Sequence, residues 1–213
     1  MAWIFSSFKR SAEQLRQVRT LALTGLLIAL TILLSMYTLR LTPTLKLGFS
    51  FLGKASIGMF CGPLIGLLAG CVTDIVGFLL AGGGVYYPIF TLIEAFAGML
   101  YGLFLYNLQV PVLPDKSIDE LKLRFLPRMR QFFFTKVNAV FFFRALGARL
   151  AITVLCNLVM NTAALYVLYD VGAFTPWFMP RLIKNVVMFP IELIVMLLAL
   201  PILKRLHDRL FHA

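Results

Sequence analysis

"PLIGLLAGCVTDIVGFLL", residues 63–80, is long enough as a helix to cross the hydrocarbon layer of a bilayer, and it carries one charge, Asp74. A helix that is apolar on every face cannot be the half-wetted element of a soluble domain. Its surroundings are alike. Across 213 residues the chain is 61% hydrophobic and 14% charged, with a mean hydropathy of +0.91, far more apolar than water can solvate.

Working outward, six candidate spans emerge: 18–39, 54–61, 63–80, 88–106, 145–169 and 181–203. The second is short as counted and is expected to start upstream, near Gly48. Residues 1–17 are basic and amphipathic, without a cleavage pattern behind an apolar core, so they read as a retained lead-in. The net charge of +11 is distributed in three blocks. Lys9, Arg10, Arg16 and Arg19 precede the first span, Lys116 to Lys136 fill the connection over 108–143, and Lys204, Arg205 and Arg209 follow the last span. With an even number of spans these blocks share one side, as cytoplasmic segments do, which accounts for the charge without nucleic acid. The expectation is an all-α integral membrane protein, a bundle of about six transmembrane helices with both termini cytoplasmic, forming a single domain over 1–213.

Several chemistries are disfavoured. Cys61, Cys71 and Cys156 are odd in number and lie in apolar runs, which suits neither a disulfide framework nor a metal cluster. His207 and His212 both sit in the tail, leaving no histidine-based catalytic or metal group within the spans. "GFSFLGKA" from Gly48 misses the phosphate-loop pattern at its last position, Ala55, and lacks the strand-to-helix context. Gly58, Gly62, Gly66 and Gly70, with Gly98 and Gly102, are small residues four apart and point to close helix packing.

Charges within spans are costly, so each is a functional candidate. In this topology Asp74, Glu94, Asn157, Asn161, Arg181, Lys184 and Asn185 fall in the outer half of the membrane, with Glu192 deeper. Pro180 suits a first helical position, which would add a helix dipole to Arg181 and Lys184 and favour a carboxylate or phosphate there. A carboxylate at Asp74 or Glu94 could instead accept paired N–H groups from an amino-substituted heterocycle. Between two spans, "GGGVYYPIFT" (82–91) combines backbone freedom at Gly82, Gly83 and Gly84 with the flat faces of Tyr86, Tyr87 and Phe90, and Thr91 closes it. It reads as a wall or lid against a planar ligand. The alternatives are an interfacial aromatic belt, and ion pairs of Asp74 and Glu94 with Lys54, Arg181 or Lys184.

Four stretches carry a family resemblance: "FCGPLIGLLAGCVTDIVGFLL" from Phe60, "GVYYPIFTLIEAFAGMLYGLFLY" from Gly84, "MNTAALYVLY" from Met160 and "RLIKNVVMFPIE" from Arg181. In this order they resemble the substrate-binding (S) components of energy-coupling factor (ECF) vitamin transporters, most closely the folate-specific members. The resemblance implies a six-helix protein of the bacterial cell membrane that binds a vitamin near its outer face and performs no chemistry. It also implies no cofactor in this chain, with ATP used by partner subunits. Those partners are a transmembrane coupling protein and two ATPase subunits, docking on small residues of the first span, here Ala22, Gly25 and Ala29. The substrate-binding set is then Asp74, Tyr86, Tyr87, Phe90, Thr91, Glu94, Asn161, Arg181, Lys184 and Asn185, with folate as ligand. Riboflavin or thiamine is the alternative within the family. A self-sufficient secondary carrier is the rival outside it, disfavoured because no repeated halves with paired broken helices are visible.

Overall fold

The computed structural model describes residues 2–40, 46–82, 85–108, 136–169 and 175–211. Helix α1 spans Ala2–Gln14 and α2 spans Val18–Met36; a short antiparallel pair, β1 Thr38–Arg40 and β2 Lys46–Gly48, leads into α3, Ser50–Ala81. Then come α4, Pro88–Leu105, and α5, Lys136–Ala151, which continues through a π-helical segment, Ile152–Met160, into α6, Asn161–Tyr169. Helix α7, Thr175–Phe211, closes the chain. Five of these helical stretches are long and apolar enough to cross a membrane. Apolar side chains such as Leu26, Leu79, Leu92, Val167, Val186 and Leu198 project from them with more than half their surface exposed, as a lipid-facing surface requires.

Six passes come from five helices because α3 folds back on itself at Gly62, whose φ of 87° and ψ of −175° are not helical. Before the turn Lys54 meets Glu94 and Gly58 packs on Tyr101 and Gly102, so residues 50–61 run parallel to α4. Past it Gly66 lies against Gly98, Gly70 against the Glu94 backbone, and Thr91 bonds to Asp74, so residues 63–81 run antiparallel to α4. A Cβ added at Gly58, Gly66, Gly70, Gly98 or Gly102 would collide with facing backbone. The glycine spacing thus seats both arms of α3 on one helix.

A reversal strands backbone groups that a bilayer cannot hydrate. Pro63 has no N–H to strand, and Ser11 of α1 partners two more backbone groups: its hydroxyl donates to the Cys61 carbonyl (2.7 Å) and accepts from the Ile65 N–H (3.2 Å). Ser11 is fully buried, and a Cβ on Gly62 would press into it at 2.9 Å. Helix α2 straps the first arm, with Thr24 Oγ1 3.3 Å from Cys61 Sγ and Thr31 seated on Gly53. At the same end the His207 ring stacks on Phe60 at 4.5 Å and Lys204 donates to the Leu108 carbonyl. The end of α1 and the end of α7 therefore share one end of the bundle.

Several boundaries differ from expectation. The first span stops at Met36 because residues 38–40 enter the β pair. The second begins at Ser50 and is fused to the third, since helical hydrogen bonding resumes directly after Gly62 with no intervening loop. The fifth span extends upstream to Lys136, taking 136–143 from the expected connection, and the sixth runs over Thr175–Phe211. Gly83, Gly84 and residues 109–135 of the connection lie outside the described residues.

Ser11→Ala is expected to cost about 2 kcal/mol, because two buried backbone groups lose their partner together. Thermal unfolding in detergent measures it, and Gly62→Ala should do further harm through its positive φ.

Candidate functional site

A cavity of about 380 Å³ opens between the paired α3–α4 unit and the α5–α7 helices. Helix α7 contributes a single stripe to it: Arg181, Lys184, Asn185, Met188 and Glu192, spaced so that they share one face. From α3 and α4 come Phe51, Lys54, Ile93, Glu94, Ala97 and Tyr101.

The opposite wall depends on the π-helical segment. Its wider winding, closed by bonds such as Asn161 N–H to the Cys156 carbonyl, brings Ile152, Cys156, Asn157 and Asn161 to the same cavity. At α-helical pitch, Ile152 and Asn161 would face in opposite directions.

The charges are arranged in pairs and singles. Glu94 is bonded to Lys54, and Glu192 to Arg149. Arg149 is 3% exposed; it also donates to the Tyr101 hydroxyl at 2.7 Å, and its guanidinium lies over the Phe51 ring, 4.9 Å from the centroid. Arg181 and Lys184, nearer the start of α7, form no ion pair with a carboxylate among the described residues. Four cations and two carboxylates thus leave the lining positive at the end where α7 begins.

Of the residues selected from sequence, Glu94, Asn161, Arg181, Lys184 and Asn185 line this cavity. Asp74, Tyr86, Tyr87, Phe90 and Thr91 do not. Asp74 accepts from Thr91 at 2.6 Å, Thr91 is bonded in turn to the Tyr86 hydroxyl, and Tyr86 tilts against Phe78, so these groups tie the outer end of α3 to α4. Tyr87 meets Phe90 edge-on. The proposed dipole at Arg181 also fails, because α7 begins at Thr175 and Pro180 lies within it; the dipole fades beyond the first turn. Arg149 is absent from the sequence-selected set, although an arginine inside the fifth span meets the same criterion that selects Asp74 and Glu94. Phe51 and Tyr101 carry no comparable sequence signal.

A helical bundle enclosing a cavity that is polar, positive at one end and set within lipid-facing helices defines a membrane-embedded binding protein for a small anionic molecule. No protein-family model matches the chain. Curated relatives include "Folate transporter FolT" of Clostridium novyi (strain NT), 31% identical over 85% of this chain and 87% of that one, and the same-named protein of Leuconostoc mesenteroides, 24% identical over 82% and 80%. Among solved structures, "Crystal structure of FolT bound with folic acid" is similar at a TM-score of 0.62 and 32% identity, covering 84% of this chain and 91% of that one. The chain belongs to the FolT family of folate transporters, S components of the ECF class, and is a multi-pass protein of the bacterial cell membrane.

The two ion pairs should differ in what they hold together. Arg149→Met strands Glu192, 17% exposed, and is expected to cost about 3–5 kcal/mol. Lys54→Met leaves Glu94, 35% exposed and able to hydrate, so its melting temperature in detergent should fall by less.

Proposed function

We propose that this chain is the folate-capture component of an ECF importer, a single membrane-embedded domain that binds folate at its outer side and performs no chemistry. The observation that carries the reading is the pair of cations, Arg181 and Lys184, without carboxylate partners among the described residues, at one end of a cavity whose other charges are internally matched. Folate ends in carboxylates, and charge-assisted bonds to these two side chains would hold that end. Asn185, Asn161 and Asn157 supply amide groups along the walls for the rest of the molecule. The folic acid in the similar FolT structure supports the same ligand here.

Uptake requires partners, proposed as a transmembrane coupling protein and two ATPase subunits, with no cofactor held in this chain. Ala22, Gly25 and Ala29 are exposed on the side of α2 turned away from the bundle, and a Cβ added at Gly25 meets nothing within 4 Å. That strip is free to receive a helix of the coupling protein at close range.

Equilibrium binding of folate to the purified protein in detergent, with riboflavin and thiamine as competitors, tests the capture reading. Folate should bind tightly and the competitors should not displace it; replacing both Arg181 and Lys184 by Gln should weaken it by about 100-fold or more. Preferential binding of another vitamin would replace the ligand. Gly25→Leu should leave folate binding intact and abolish ATP-dependent uptake by the reconstituted transporter; unchanged uptake would move the docking surface elsewhere.

A further inference from the structure

Resting on the folate reading, we infer that Glu192, held in place by Arg149, is the carboxylate that recognises the donor edge of the ligand's ring, and that Glu94 is not. The cavity face of α7 runs from Arg181 and Lys184 through Asn185 and Met188 to Glu192. From Arg181 to Glu192 is eleven residues, about 16 Å along the axis. One helix face thus presents two cations, an amide, an apolar thioether and a carboxylate in series. A ligand with an anionic tail, an apolar middle and a nitrogen-rich ring of N–H donors matches that series in one orientation only.

Three carboxylates could serve the ring, and the structure separates them. Asp74 lies off the cavity and accepts from Thr91. Glu94 lies two turns into α4 and is tied to Lys54, joining the first arm of α3 to α4. Glu192 lies farthest from the unpaired cations along α7. Its partner Arg149 is fixed on other sides by the Tyr101 hydroxyl and the Phe51 ring. A guanidinium so restrained holds the carboxylate aimed, which an acceptor for two parallel N–H groups requires. Arg149 is therefore a positioning residue that acts through Glu192.

The test compares folate with the analogue in which the ring's 2-amino group is replaced by methyl, using the full-length protein in detergent. Wild type should prefer folate by about 10- to 100-fold, the range for hydrogen bonds to a charged acceptor. In Glu192→Gln the preference should collapse to within about threefold, and in Glu94→Gln it should persist. Arg149→Lys, which keeps a cation beside Glu192 without the planar fork, should preserve folding and reduce the preference, whereas a purely structural role would lower stability and leave the ratio unchanged. If Glu192→Gln does not fold, Glu192→Asp replaces it, keeping the charge but withdrawing it by one methylene, and the ratio should again fall. A preference that survives at position 192, or that collapses in Glu94→Gln, overturns the inference. Failure of the wild type to bind folate overturns the folate reading itself.

Discussion

Inside a bilayer a backbone amide has only other protein groups to bond to, and the turn at Gly62 is where this chain meets that demand most severely. Two helical arms must reverse without a loop; a proline there has no N–H to strand, and a serine lent from another helix partners a carbonyl and an N–H beside it. Everything at the cavity depends on the outcome. The first arm carries Phe51 and Lys54, the second packs antiparallel on α4, and α4 carries Glu94 and Tyr101. Were the arms not folded together, Lys54 and the Gly70 backbone could not both reach the same residue, Glu94. The amphipathic lead-in is thus part of the fold rather than an appendage to it.

The electrostatics follow from the same scarcity of water. A buried ion pair seldom adds stability over apolar packing, but separating one is costly, so paired charges within a membrane protein fix geometry more than they strengthen it. Lys54 with Glu94 and Arg149 with Glu192 each join two helices across or beside the cavity, which gives the walls a defined spacing. Cations lacking such a match nearby have only the solvent or a ligand to answer them. Within one cavity, matched charge thus joins helices while unmatched charge gathers where α7 begins.

Composition and charge placement make the membrane, the number of passes and the common side of the termini legible. The glycines four apart are legible too, because only close backbone approach explains them on an apolar helix. The cavity lining is legible where a residue type is intrinsically out of place, as with Glu94, Arg181 and Lys184. Asp74, Tyr86 and Thr91 lie off that lining, and the sequence does not show it, because a hydrogen-bonded tie between two helix ends uses the same polar side chains as a ligand contact does. Helix boundaries at Thr175 and Lys136 escape because Pro180, inside α7, resembles a start as much as Pro176 does at its second position, and the basic run leading to Lys136 reads as connection. Phe51 and Tyr101 are ordinary core aromatics until the fold places a guanidinium between them.

The π-helical segment bears on how this protein can vary. Nine residues wound with i→i+5 bonds turn through roughly a third to a half of a revolution less than nine wound with i→i+4 bonds. Helix α6 is consequently out of phase with α5, and a periodicity extrapolated from one assigns the wrong face to the other. Deleting or inserting one residue between Ile152 and Met160 would act as a rotation more than as a change of length, turning Asn161 away from the cavity while leaving the helix long enough to cross the bilayer. Along this span, sequence drift by indel is a dial on which side chains the cavity sees.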